Sequence, residues 1–362
     1  MKLWHKIKHI YRLFTSDLSL PDIIQGMKSD ASSTYQYYTK SSNLQQHPKI
    51  KKPKLFRLLK NLFLAFIKKL TPVRRIAYVI ALIFFLAGLS DTNGESKVLI
   101  GFILMNILLA AELADKLTAK DELDIARNIQ INMMPEVPPA DDRFEIAFRY
   151  DSANTVGGDF YDFLVSPNQD GFVAIIGDIS GKGMEAALHM VEVHALIHSH
   201  PYPSDLRIML ASLNKQLQAL FPPNQFLTAN FLKVESTNIF EFYRAGHLPI
   251  YHCSVKNECC NPISPAGIGL GLTGKKCLLE HLKKTDIRTE SGDILCLCTD
   301  GVIETENTEG IEFGENRLIH TLNELKHKST DQILDGLIHN ISEFRGNAAK
   351  KDDMTLLVIK IK

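Results

Sequence analysis

This 362-residue chain lacks net charge, cysteine motifs, internal repeats and any uninterrupted apolar run of about twenty residues, and each absence narrows the reading. The six cysteines, Cys253, Cys259, Cys260, Cys277, Cys296 and Cys298, form no C-x-x-C pair and no Cys/His finger spacing. That argues against a structural zinc site and for reduced, cytoplasmic thiols. Cys296 and Cys298 alternate with Leu295 and Leu297, the pattern of a buried strand. No repeat of solenoid length occurs. The opening "MKLWHKIKHIYRLF" lacks the apolar core and cleavage site of a secretory signal. The formal charge of zero conceals an asymmetry: Met1 to Arg75 carries +13 and the remainder −13. A basic block running into apolar sequence suits the anionic inner face of a membrane. Nucleic acid would require a groove-reading motif, and none is present.

Read in order, residues 1–28 form a basic segment with Leu3, Ile7, Ile10 and Phe14 at helical spacing, which predicts an interfacial amphipathic helix. Residues 29–54 are polar and read as a linker. Residues 55–111 hold a basic helix and two apolar runs, 76–90 and 98–111, of fifteen and fourteen residues. Each run is short for a membrane span, but the Asn-Gly connector between them and the preceding Lys68, Lys69, Arg74 and Arg75 predict a transmembrane hairpin with both ends cytoplasmic. Its alternatives are a buried helical hairpin in a soluble domain and a re-entrant pair. Residues 112–141 continue as a charged helix and a Pro-rich exit. Leu113, Leu117, Ile125, Ile129 and Met133 line one face of that helix, so 112–134 is a candidate for carrying rotation or for a homodimer contact.

From 142 to 362 the pattern alternates. Period-two runs such as "RFEIAFRY", "FYDFLV", "GFVAIIGD", "GDILCLCT" and "MTLLVIKI" predict strands, and helices are expected over 184–200, 206–221, 314–326 and 330–345. Strands in succession with helices in two blocks indicate an α+β domain built on antiparallel sheets. Acidic residues recur at the strand ends: Asp159 in "VGGDFYDF", Asp178 in "GDISGKG", Asp300 in "TDG", and Asp352 with Asp353 in "DDMT". Any one of these suits a turn. Their recurrence points to a shared cation, because converging carboxylates near a core need neutralising, and oxygen ligands suit magnesium or manganese over zinc.

The ordered motifs "ARNIQINMMPEVPP", "VGGDFYDF", "GDISGKGMEAAL", "FLTANF", "AGHLPI", "CTDGVIETEN" and "DDMTLLVIK" resemble the PPM-type metal-dependent serine/threonine protein phosphatases, in their SpoIIE/RsbU-like bacterial branch. The resemblance runs from about Glu122 to Lys362. It implies an α/β/β/α sandwich of two antiparallel sheets, here preceded by a helical hairpin and linker helix, with two Mn2+ or Mg2+ ions in the cleft. By motif, Asp159 is a metal ligand and Asp178 bridges both ions. The backbone carbonyl of Ile179 completes one ion, and Asp300 and Asp352 hold the second. Asp353 stands where the wider superfamily has Asn, so Asp352 and Asp353 are alternatives for that duty. Asp178 and Asp159 then act in catalysis through a metal-activated water.

Lys182 is a candidate phosphate contact, its alternative being a solvated lysine at a helix start. His189, His194, His198 and His200 lie on one predicted helix, where ordinary half-buried roles outweigh metal binding. His247 is read as fixing a turn, and Asp162 has no assigned role. The implied function is a bacterial protein phosphatase anchored in the inner membrane with its catalytic domain in the cytoplasm. It would act on a phosphorylated signalling protein of the anti-sigma-factor-antagonist type. Two alternatives stay open: a catalytically inactive phosphatase-like membrane scaffold, and a diguanylate cyclase-like enzyme suggested by "VGGDF". Phe160 stands where the cyclase signature needs Glu.

Overall fold

A computed structural model describes residues 63 to 362 apart from 65, 69, 92, 154, 169 and 237. The expected amphipathic segment 1–28, the linker 29–54 and the start of the basic helix lie outside the described residues. The chain divides at Thr118/Ala119 into two units.

In the first unit, helix α1 (Pro72–Leu89) opens on a proline and the long helix α2 (Glu95–Met133) begins after a tight turn. In that turn Asp91 accepts from the backbone of Gly94, and its side chain accepts from Asn93 N at 3.2 Å and pairs with Lys97 at 2.7 Å. The two helices approach closely because small residues face each other. A Cβ on Gly101 would stand 2.7 Å from Phe85 N and 2.9 Å from Ala81 O. Both helices are long and apolar enough to cross a membrane. Their large side chains, among them Ile76, Ile83, Leu99, Ile103 and Ile107, are exposed.

The second unit holds two five-stranded antiparallel sheets among the described residues. One runs β1 (Phe144–Asp151), β10 (Met354–Ile361), β9 (Ile294–Cys298), β6 (Ile250–Ser254), β7 (Cys259–Ile263). The other runs β2 (Phe160–Val165), β3 (Phe172–Ile179), β4 (Leu227–Ser236), β5 (Ile239–Ala245), β8 (Thr285–Arg288). Helices α3 (Met184–Ser199) and α4 (Leu206–Leu220) follow β3. The short helices α5 (Lys275–His281) and α6 (Asp300–Ile303) come next in the chain, and α7 (Gly314–Leu325) and α8 (Thr330–Arg345) precede β10.

Strand alternation sorts the side chains into layers. Leu295, Leu297, Leu357 and Ile359 join one apolar cluster with Ile175, Phe231 and the α3 and α4 residues Met190 and Leu210. The intervening Cys296, Cys298, Leu356 and Val358 join a second with Leu318 of α7 and Leu337 of α8. The result is a helix, sheet, sheet, helix sandwich. Phe144 of β1 crosses the gap, its ring 5.7 Å from Phe172 and 5.4 Å from Phe240 of the facing sheet. Helix α8 starts with a capping box of Ser329 and Gln332, and Glu145 of β1 accepts from Thr330 N at 3.0 Å.

The four helices anticipated from periodicity end within one residue of their expected limits. The unanticipated strands are β7 and β8, both at sheet edges. Pro262 interrupts β7, as an edge strand tolerates, and β8 is too short and polar to show a period. Of the six cysteines, Cys253 and Cys260 face each other across β6 and β7 and are joined as a disulfide, which corrects the expectation of six reduced thiols. Cys259, Cys277, Cys296 and Cys298 are free.

Because Phe144 fills the space between the sheets, Phe144→Ala should destabilise the second unit by roughly 3–5 kcal/mol. Chemical denaturation of the two proteins measures this difference.

Candidate active site

The acidic motifs meet where strand ends from both sheets come together. Asp159 immediately precedes β2, Asp178 lies near the end of β3, and Asp300 opens α6 directly after β9. Asp159, Asp178 and Asp300 each bring a carboxylate oxygen within 4.8 Å of the others. Asp159 is 2% exposed. Its Oδ2 accepts from Thr299 Oγ1 at 2.6 Å and from Thr355 Oγ1 at 2.9 Å, so two hydroxyls of the facing sheet orient a carboxylate presented by β2. Thr299 Oγ1 in turn accepts from Thr355 N at 2.9 Å.

The two glycines before Asp159 have distinct duties. A Cβ on Gly158 would lie 2.8 Å from Asp178 Oδ1 and 2.9 Å from the carbonyl oxygen of Ile179, so only a glycine lets those two oxygens approach this backbone. A Cβ on Gly157 would collide with the carboxylate of Asp353. Gly157 is also clamped from outside the motif: the buried Gln130, near the end of α2, accepts from Gly157 N at 3.2 Å and donates to Gly157 O at 2.5 Å.

Asp352 and Asp353 differ sharply. Asp353 Oδ1 accepts from Ala153 N at 2.8 Å and Ser152 Oγ at 3.1 Å, while Oδ2 accepts from Gly158 N at 3.2 Å. Its carboxylate is thus spent on capping the chain between β1 and β2. Asp352 is turned outward and pairs with the Lys182 ammonium, whose side chain is 66% exposed. Neither residue belongs to the group of three. A cavity of about 130 Å³ beside them is lined by Lys182, Glu304, Glu306, Arg345 and Lys350, among others.

The electrostatics follow from crowding. Burial, and then the nearby charge of Asp178, pushes the Asp159 carboxyl well above its ordinary range, against the opposing pull of the Thr299 hydroxyl. Burial, then Asp300, Asp352 and Asp353, pushes Asp178 up to about 8. Asp300 is raised by burial and then by Asp352. Crowded, partly desolvated carboxyls hold their protons more tightly until a cation compensates, and among the described residues Lys182 pairs with Asp352 at the edge of the group. The donor set, carboxylates with a main-chain carbonyl nearby, is that of a hard divalent cation. The residues present fit the group.

The other candidates are placed elsewhere. His247 is buried, and its ring, held neutral by burial with a pKa lowered to about 4, meets Thr228 Oγ1 at 3.0 Å. Thr228 pairs with Asp178 across β3 and β4, so His247 supports the strand behind the site. His189 pairs with Glu192 and His200 with Ser212. His194 and His198 face Asp162 on the α3 side of β2. Sequence reasoning missed Thr299, Thr355 and Gln130. The two threonines were legible as the residues flanking the acids in "TDG" and "DDMT", whereas Gln130 carries no local signal.

The comparisons with known proteins agree with this geometry. The family model for stage II sporulation protein E, SpoIIE, matches residues 168–362. Phosphoserine phosphatase RsbU of Bacillus subtilis (strain 168) is 27% identical over 253 residues, which cover 67% of this chain and 71% of that protein. The SiaA-PP2C domain of Pseudomonas aeruginosa superposes with a TM-score of 0.60 at 19% identity, over 69% of this chain and 99% of that one. The PP2C phosphatase domain of Bacillus subtilis SpoIIE, solved with a fragment of its regulatory domain, gives 0.50 at 18% identity, over 61% and 64%. The two sheets with a helical layer on each side are the fold of these phosphatase domains, which sets the cyclase alternative aside. The chain belongs to the SpoIIE family, and its second unit has the fold of the PP2C phosphatase domains.

Proposed function

We propose that this protein hydrolyses phosphoserine or phosphothreonine on a signalling protein, of the anti-sigma-factor-antagonist type, from a position on the inner face of the bacterial inner membrane. The observation that carries the reading is the convergence of three carboxylates, one buried and two half-buried, on one point. Asp159, Asp178, Asp300 and Asp352, with the Ile179 carbonyl, would hold two divalent cations, Mn2+ or Mg2+. Of the two residues left open at the "DDMT" motif, Asp352 is the better ligand, because the Asp353 carboxylate is committed to Ser152, Ala153 and Gly158. Cations bound there polarise a phosphoryl oxygen, generate a nucleophile from water near neutral pH and neutralise charge that develops in transfer.

The chain's own residues prepare that chemistry. The Thr299 and Thr355 hydroxyls hold one oxygen of Asp159 and leave the other to face the site. Burial of Asp159 and Asp178 keeps bulk water from screening the interaction with a charged phosphoryl group. Lys182, exposed and able to exchange Asp352 for a phosphate oxygen, is the substrate contact we favour. The presence of every acidic position argues against an inactive scaffold. No Cys-x5-Arg loop is present, and no phospho-enzyme is needed.

Anchoring rests on α1 and α2. A soluble hairpin would bury its apolar faces, whereas here Ile76, Ile83, Leu99, Ile103 and Ile107 point outward. Farther along α2, Leu113, Leu117, Ile125 and Ile129 are more than half exposed at i, i+4 spacing, a face suited to a second copy of the chain. A change at that face has a route to the site through Gln130, whose two bonds clamp Gly157.

Three outcomes are expected. Phosphoserine-peptide turnover by the full chain should require Mn2+ or Mg2+ and stop with chelator, and Asp178→Asn and Gly158→Ala should each lower it by about 100-fold or more; turnover indifferent to chelator, or none, would sink the phosphatase reading. Stability should follow the raised Asp178 carboxyl: its contribution is full below the unfolded value of 3.8 and is lost as pH rises through about 8. In chelator the melting temperature should therefore fall across that window, less so in Asp178→Asn, and Mn2+ should raise it most at the alkaline end. Finally, the chain should sediment with membranes and resist alkaline carbonate extraction, while Ile125→Asp with Ile129→Asp should reduce its mass by light scattering in detergent; soluble recovery, or an unchanged mass, removes the corresponding part.

A further inference from the structure

Asp162 is the one acid of "VGGDFYDF" that the catalytic site does not use. Strand β2 alternates: Tyr161 and Phe163 approach Phe148 of the facing sheet, with ring centroids 4.5 Å and 6.1 Å away. Asp162 therefore projects to the opposite face, toward α3. There its Oδ2 lies 2.7 Å from His198 Nε2 and 3.4 Å from His194 Nε2. The other oxygen, Oδ1, accepts from Phe163 N at 2.7 Å. The three ligand atoms all lie within 4.8 Å of one another, and the two rings are tilted at 4.4 Å between centroids.

This arrangement exceeds what a structural hydrogen bond needs. One histidine suffices to satisfy a buried carboxylate, yet two imidazole nitrogens converge on a single oxygen, and both cannot be charged at 4.4 Å without repulsion. Spacing of i, i+4 on a helix is the way two imidazoles are brought to one side of a metal. Burial falls outward across the cluster, with side-chain exposure of 4% for Asp162, 16% for His194 and 43% for His198. That gives an inner anchor and an outer edge open to an entering ion.

We propose that Asp162, His194 and His198 form a second metal site, separate from the catalytic carboxylates, that takes a zinc-class divalent transition metal. Imidazole nitrogen with a single carboxylate selects such an ion over Mg2+, which the all-oxygen catalytic set prefers. An ion bound here fastens β2 to α3. Helical spacing alone suits these histidines to ordinary half-buried roles; the fold adds Asp162 from 32 positions upstream of His194.

The test uses Co2+ as a spectroscopic probe. It is titrated into the full-length chain carrying Asp159→Asn and Asp178→Asn, which weakens competition from the catalytic site. The expected result is a visible ligand-field band that saturates at one equivalent and is displaced by Zn2+. Adding His198→Ala should weaken Co2+ binding at least about tenfold and abolish a Zn2+-dependent rise in melting temperature. His198 lies at the exposed edge, so that variant should keep its circular dichroism, and Asp162→Asn provides a second removal of the site. Absence of a saturable band, or a band unchanged by both His198→Ala and Asp162→Asn, overturns the proposal.

Discussion

The structure depends on a repulsion that it holds in place. Asp159, Asp178 and Asp300 come from three strand ends in two sheets, and their carboxylates occupy one partly dry pocket. Desolvated like charges of this kind push the sheets' ends apart unless the surroundings compensate. Part of the compensation is internal: the Thr299 and Thr355 hydroxyls donate to Asp159 across the gap between sheets, so the contact that orients the carboxylate also ties the two sheets together. The remainder calls for a divalent cation. Orientation of Asp159 and closure of the sandwich at this end are therefore the same interaction viewed from two sides.

Adjacent acids show how finely the backbone divides labour. Asp352 and Asp353 lead into β10, where successive side chains point to opposite sides. Asp353 turns inward and caps the segment that carries Gly157 and Gly158, while Asp352 turns outward to Lys182. The cap matters because Gly158 must lie against Asp178 Oδ1 and the Ile179 carbonyl with no room for a side chain. The Asp353 carboxylate thus shapes the loop on which Gly158 and Asp159 sit.

The end of α2 meets this machinery at Gln130, which clamps Gly157 next to the close approach at Gly158. The helix is therefore in a position to bias the site through main-chain geometry, with no need to reach the carboxylates themselves.

Much of this was legible in the residues. Period-two alternation located eight of the ten described strands, and apolar spacing located α3, α4, α7 and α8 almost to the residue, because both patterns record which face of an element is buried. The acidic motifs were visible as charges at the ends of apolar runs. The edge strands β7 and β8 were not, since an edge strand needs no continuous apolar face. By itself, the sequence determined the elements, the layering and the candidate acids, all of which follow from local periodicity and local chemistry. Only the tertiary structure decided that Asp353 caps a loop while Asp352 turns to Lys182, that Gln130 clamps Gly157, and that Asp162 meets His194 and His198. Those outcomes depend on which residues distant in the chain arrive at the same point, and no spacing along one strand or helix encodes that.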